Sequence, residues 1–398
     1  MLPLFAKFST KAGLFYKGRK DLLPQINEAL ANNKAPLFWV HCSSVGEFEQ
    51  GLPVIESIKK GHPTWKVVIT FFSPSGYESV NHPMIDYKFY LPVDTKSNAR
   101  QFINLIEPEI ALFIKYEFWY HFLNELSKNQ IPIYSVSSIF RSSQTFFKWY
   151  GGWNRKMLRK FTHFMVQDET SKELLRSIGI NEVTQTGDTR FDRVIELKQE
   201  GVFFPEIDSF IGDKKVFIIG SLRNEDDEII LPFVNANPEF AYIIAPHDIT
   251  EKHIAKIEQS ISSTVRHSAL NANSNKNVLI IDSIGKLSRL YQFANFAYVG
   301  GGFSDGIHNI LEPAVYNIPV FFGSKHFKKY KEAVDLVRLE AAFPVHDSTS
   351  LEILVNKLTN PTLLKNVSKK MKDYVKANEG AARKVSSIIN EQKATWRV

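Results

Sequence analysis

Short, nearly continuous apolar runs alternate along this chain with longer amphipathic stretches, and they come in two series. The first comprises residues 36–42, 66–72, 87–92, 109–115, 132–138 and 163–168; the second 216–221, 240–246, 278–282, 296–301 and 319–323. Strands that are apolar at almost every position are buried on both faces, as in parallel sheets covered by helices. Stretches such as 97–107 and 121–129 supply the helices. Residues 192–215, of mixed polarity, separate the series. The expectation is an α/β protein with two Rossmann-like domains. These are residues 1–195, a linker over 196–215, and residues 216–398, whose last helix is a candidate to cross back. Two such halves imply an inter-domain cleft, and ligands in open α/β sheets bind beyond the carboxyl ends of the strands.

A balance of 49 Lys and Arg against 42 Asp and Glu, net +7, suits an anionic partner such as a nucleotide, a phosphorylated lipid or a membrane face. Without a nucleic-acid-binding signature, no nucleic acid partner is expected. The single cysteine, Cys42, excludes an intramolecular disulfide and a cysteine-rich metal site. No apolar run is long enough to span a bilayer. Two basic aromatic segments could lie on one instead: residues 1–20, and FFKWYGGWNRKMLRK over 146–160, which holds Lys148 and Trp149. Packing on the protein's own body is the alternative for both.

The chemistry-bearing residues gather where strands end. In VGGGFSDGIHNILEPAVY a strand runs into Gly300–Gly302, then a loop through His308 and Asn309, then a helix with Glu312 in its first turn. Glycines such as Gly302 allow close backbone approach, a helix start attracts phosphate, and Glu312 could accept from a ribose diol. The second unit is VLIIDSIGKLSRLY, where Asp282 is followed by Ser283, Ile284 and Gly285 before another helix; the third is APHDI, with His247. In the first half, HCSSVGEFEQ supplies Ser44, Gly46 and Glu47, SPSG supplies Ser75 and Gly76, and KYEFWY supplies Glu117 beside Trp119. Acids at helix starts are common dipole partners, so Glu47 and Glu117 stand as either working carboxylates or helix-start acids.

Phosphate-loop and zinc-protease patterns are absent, no D-x-D pair suggests a metal-bridged diphosphate, and the eleven histidines lack metal-ligand spacing. A metal-free mechanism with helix ends and one general base remains.

S-V-G-E (44–47), Glu117 with Trp119, G-D-T-R-F-D (187–192), A-P-H (245–247), the Asp282–Gly285 turn and H-N-I-L-E-P-A (308–314) occur in an order that resembles the 3-deoxy-D-manno-octulosonic acid (Kdo) transferases of lipopolysaccharide assembly. The resemblance runs from about residue 36 to 340. It implies a GT-B fold and metal-independent, inverting transfer of Kdo from CMP-Kdo to a lipid A precursor at the cytoplasmic face of the inner membrane. No cofactor is implied. Glu47 matches the catalytic base, and Glu117 a first-domain acid with a positioning role; Glu49 and Glu56 then fall to the helix surface. Glu312, Asn309, His308, Gly302, His247 and the Ser283–Ile284–Gly285 turn match donor-binding positions. Ser44, Gly46, Ser75, Gly76, Arg141, Lys148 and Trp149 are the acceptor- or lipid-binding candidates. Two departures stand out: Arg141 is displaced in SVSSIFRSSQ, where the family carries an arginine-rich stretch, and the apolar N-terminal anchor is short. Membrane attachment is therefore expected from basic aromatic surfaces. The rival readings are another GT-B enzyme, a UDP-sugar transferase or epimerase, and a nucleotide- or lipid-binding module without turnover.

Overall fold

A computed structural model describes residues 10–270 and 276–395. The chain divides into two compact units, Met1–Arg193 with Glu379–Val398, and Val194–Asn378. The N-terminal unit holds β1 (Leu37–Cys42), β2 (Lys66–Phe71), β3 (Tyr87–Tyr90), β4 (Ile110–Ile114), β5 (Ile133–Ser138), β6 (His163–Val166) and β7 (Val183–Gln185). They form one parallel sheet in the order β3-β2-β1-β4-β5-β6-β7. Alternation along β1 explains the layering. Phe38, Val40 and Cys42 enter one core with the helices Val45–Gly61 and Ala381–Thr395, whereas Leu37 and Trp39 enter the other with Lys96–Ile106 and Tyr120–Lys128. Every β1 residue is buried, including His41.

The C-terminal unit holds β8 (Val216–Leu222), β9 (Ala241–Pro246), β10 (Thr264–Arg266), β11 (Val278–Ile280), β12 (Phe296–Val299), β13 (Val320–Gly323) and β14 (Ala342–Val345), again all parallel, in the order β10-β11-β9-β8-β12-β13-β14. The first sheet reverses its strand order between β1 and β4; the second reverses between β8 and β12 and has β10 and β11 exchanged at its edge. Loops leaving those strands diverge there and leave room for a ligand.

Residues 196–215 are more ordered than a linker: the helix Thr189–Gln199 runs into them, and Pro205–Ile211 follows with Ile207 buried in the C-terminal unit's core. The G-D-T-R-F-D stretch ties the N-terminal unit together. Asp188 accepts from the Gln50 amide (2.9 Å) and from Arg190. The Thr189 hydroxyl donates to the Gln50 carbonyl (2.6 Å) and lies 3.0 Å from the Ser137 hydroxyl. The Asp192 carboxylate accepts from the Gly380 and Ala382 amides (2.9 and 3.2 Å), capping the last helix. Of the basic N-terminal segment, residues 1–9 lie outside the described residues; Thr10–Lys17 is helical.

Candidate functional site

In the N-terminal unit the chemistry sits at the ends of β1 and β4. Ser44 N-caps the helix Val45–Gly61, and its amide donates to Glu47 Oε2 at 3.1 Å, one arm of a capping box. Gly46 is exposed with open space around it. Burial first, then the Glu117 charge, pushes the Glu47 carboxyl from 4.5 up to about 7, against the pull of Lys115 and the Ser43 and Ser44 amides. Glu117 goes the other way. Burial would raise it, but hydrogen bonds from His41, Ser43 and Trp119 hold it below the usual range. Trp119 Nε1 donates to Glu117 Oε2 at 2.8 Å, and His41 Nε2 lies 3.4 Å from the same oxygen. The site thus pairs a carboxylate kept ionised with one poised near neutrality, the arrangement that separates a fixed charge from a general base. Lys115, in the left-handed region at φ +63°, turns the chain out of β4 just before Glu117.

The other first-half candidates are spread out. Gly76 is buried and its amide is spent on the Ser73 cap (3.1 Å), so its part is structural; Ser75 is exposed. Arg141 is exposed in the loop after β5, and Trp149 is 91% exposed on a loop with Lys148. Glu49 is less a free surface acid than expected: Arg193 Nε donates to it at 2.6 Å.

In the C-terminal unit, β8 and β12 deliver the corresponding cluster. A register shift at Gly220/Leu222, with Ser221 at φ +53°, bends the end of β8 and brings in Arg223. Arg223 Nε donates to His308 Nε2 (3.2 Å), and its other nitrogens lie 3.4 Å from Asp305 and 3.5 Å from His247 Nε2. The His247 and His308 rings are 4.4 Å apart. Burial, then the His247 and Arg223 charges, pushes His308 down to about 4, and burial and Arg223 lower His247. Both imidazoles are therefore neutral near pH 7, and Arg223 is the cation of the cluster. Sequence reasoning missed Arg223. Its signal was the one used elsewhere, polar residues just after a buried strand.

The glycine stretch works differently from its sequence reading. Gly301 has φ +92°, and a Cβ on Gly302 would lie 2.4 Å from the Gly323 carbonyl oxygen, so these glycines accommodate the chain's own backbone. Asp226, also missed, fixes their loop: its fully buried carboxylate accepts from Tyr298 Oη (2.8 Å) and from the Gly301 (2.9 Å) and Arg223 (3.0 Å) amides. Residues 302–306 also spell G-x-S-x-G, but the Ser304 hydroxyl donates to Gly301 O (3.3 Å) within its own turn. The helices expected after both donor loops are single turns, Leu311–Ala314 and Leu287–Leu290, too short to act as dipoles. Asn309 takes over part of that task. Its Oδ1 accepts from the Leu311 amide (3.2 Å), and its Nδ2 donates to half-buried Glu312 (3.3 Å). Asp282 accepts from the Ser268 amide (3.1 Å) and hydroxyl, which hold it ionised despite burial. Beside it the Ser283 hydroxyl is buried without a partner, Ile284 is 85% exposed and Gly285 lies open at φ +89°.

Residues 17–193 match the model of the glycosyltransferase family described as 3-deoxy-D-manno-octulosonic-acid transferase. A bifunctional glycosyltransferase/methyltransferase of Fusobacterium nucleatum is 28% identical over 94% of this chain, which spans 62% of that relative's length. A 3-deoxy-D-manno-octulosonic acid transferase of Rickettsia bellii is 26% identical over 89% of this chain and 86% of its own. Among solved structures, the UDP-GlcNAc 2-epimerase of Methanocaldococcus jannaschii superposes with a TM-score of 0.59 at 18% identity, covering 86% of this chain and 98% of that one. The fold is thus GT-B, and the N-terminal unit matches the glycosyltransferase domain described for the Kdo transferases.

Proposed function

We propose that this glycosyltransferase moves Kdo from CMP-Kdo to a lipid A precursor of the tetraacylated, bisphosphorylated disaccharide type, with inversion, without a metal, and with Glu47 as general base. The observation that carries the reading is the Glu47–Glu117 pair within a Kdo transferase domain, one carboxyl raised to about 7 and its neighbour held ionised. The acceptor hydroxyl oxygen attacks the anomeric carbon of Kdo from the face opposite the phosphate. As the new C–O bond forms, the hydroxyl proton passes to the Glu47 carboxylate, the anomeric C–O bond to phosphate breaks, and CMP leaves with the electron pair. CMP is a stable anion, so no general acid is required.

In the C-terminal unit Arg223 is the cation to meet the phosphate charge. Neutral His247 and His308 donate or accept hydrogen bonds to the sugar or phosphate, and Glu312, oriented by Asn309, accepts from a ribose hydroxyl. The Ser283–Gly285 turn, open and topped by Ile284, suits the flat face of a base. Exposed Trp149, Tyr150 and Trp153 beside Lys148 and Lys156 give the enzyme an interfacial surface for the cytoplasmic face of the inner membrane, to which it binds peripherally. Among the described residues no helix is long and apolar enough to cross a membrane.

Calorimetric titration separates this reading from a UDP-dependent relative: CMP should bind and UDP should not. UDP binding with no response to CMP would overturn the donor assignment. Turnover should persist in a strong chelator, and its loss there would remove metal independence.

A further inference from the structure

We propose that His41 is a positioning residue of this site, holding Glu117 as an oriented carboxylate beside the base. His41 lies on β1, six residues before Glu47, and is completely buried. A buried imidazole in an otherwise apolar strand requires partners for both nitrogens. Nδ1 lies 2.9 Å from Thr70 Oγ1 and 3.1 Å from the Thr70 carbonyl oxygen on β2. The Thr70 hydroxyl is itself fixed by Trp39 Nε1 at 2.8 Å. Nε2 faces the site: it lies 3.4 Å from Glu117 Oε2 and accepts at 3.0 Å from Trp119 Nε1, whose N–H also donates to Glu117 Oε2 at 2.8 Å. A polar line therefore runs from Trp39 through Thr70 and His41 to Glu117. The face of β1 that buries Trp39 in the core ends in a group aimed at the site.

This geometry separates His41 from an ordinary core histidine. The groups around Glu117 come from three places: His41 and Ser43 from β1 and its turn, Lys115 and Trp119 from the end of β4 and the following loop, and Glu47 from the helix start. Of these, His41 is the one whose second nitrogen is tied to the sheet. It fixes the Glu117 carboxylate relative to β1, and hence to the Glu47 that β1 leads into. Without His41, burial would act on Glu117 with less opposition, Glu117 would take up a proton more readily, and Glu47 would lose its nearest like charge.

The inference rests on the glycosyl-transfer reading, and the experiment keeps the two apart. Transfer from CMP-Kdo is measured against pH for the full-length wild type, His41→Asn and His41→Gln. Asn retains a group near Nδ1, whereas Gln can place an amide nitrogen near Nε2. Expected for His41→Asn is a kcat lowered at least about tenfold, KM values within about twofold of wild type, and the acid limb of the profile moved to lower pH. Gln should restore most of kcat and return the limb. Indifference to both substitutions overturns the proposal, and so does equal loss in both with an unmoved limb, the mark of a purely structural histidine. Should both variants fail to fold, Trp119→Phe removes another Glu117 donor and must move the limb the same way; an unmoved limb overturns the proposal there too. A wild type that transfers nothing sinks the functional reading instead.

Discussion

Glu47 takes part in a capping box, as many helix-start acids do, and is set apart by its company. Its neighbours are Glu117 and Lys115, both delivered by the end of β4. Folding lifts the Glu47 carboxyl from 4.5 to about 7, so the folded state disfavours its ionised form. Wild type should therefore lose stability relative to Glu47→Gln as pH rises from about 4.5 to about 7. The difference should hold above that range, at up to about 2–3 kcal/mol, and vanish below it. Thermal unfolding of both proteins across pH measures it, and a wild type as stable as the variant at pH 8 (roughly a unit above the folded value) would contradict the raised carboxyl. Arg223→Ala should raise KM for the donor at least about tenfold, read by initial rates, because it removes the cation of the histidine cluster. Glu47, Glu117, His247 and Glu312 were legible as polar residues at the ends of apolar runs. Arg223 and Asp226 follow a buried strand too but went unread, since SLRNEDD reads as an ordinary charged turn and their partners Gly301, Tyr298 and His308 lie far along the chain.

The eleven strands expected from apolar runs all form, because complete burial leaves a continuous apolar signature. The strands missed are β7, β10 and β14, three or four residues long and partly exposed, where the sheets run out and the apolar pattern with them. The glycine loop shows the complementary limit. Its composition was plain, but that backbone would fill the space near Gly302 follows only from the packing of β12 against β13. Asp226→Ala should therefore damage this loop by leaving Tyr298 Oη and the Gly301 amide unpaired in a buried setting. A loss of about 3 kcal/mol in chemical denaturation is expected, and an unchanged midpoint would mean that the carboxylate is not what holds the loop.

At the scale of the molecule, two parallel sheets whose order reverses at β1/β4 and at β8/β12 put most candidates on the loops and helix starts that follow strands, and the periodicity of the sequence carried that architecture. What it did not carry was the dual role of the G-D-T-R-F-D stretch. The residues that mark the resemblance are spent on holding the helix Val45–Gly61 and the last helix to the N-terminal sheet, through Asp188, Thr189 and Asp192. The exposed aromatic loop belongs to this scale as well. Replacing Trp149, Tyr150 and Trp153 with Ser should abolish co-sedimentation with anionic vesicles while leaving CMP binding intact, and undiminished sedimentation would move the membrane contact elsewhere.

Sugar transfer with Glu47 as the base is tested by incubating wild type and Glu47→Gln with CMP-Kdo and a tetraacylated, bisphosphorylated lipid A precursor, and weighing the lipid by mass spectrometry. Wild type should yield a lipid heavier by one or more Kdo residues, and Glu47→Gln should be slower by at least about a hundredfold. A lipid of unchanged mass with wild type, or equal rates for the two proteins, would contradict it.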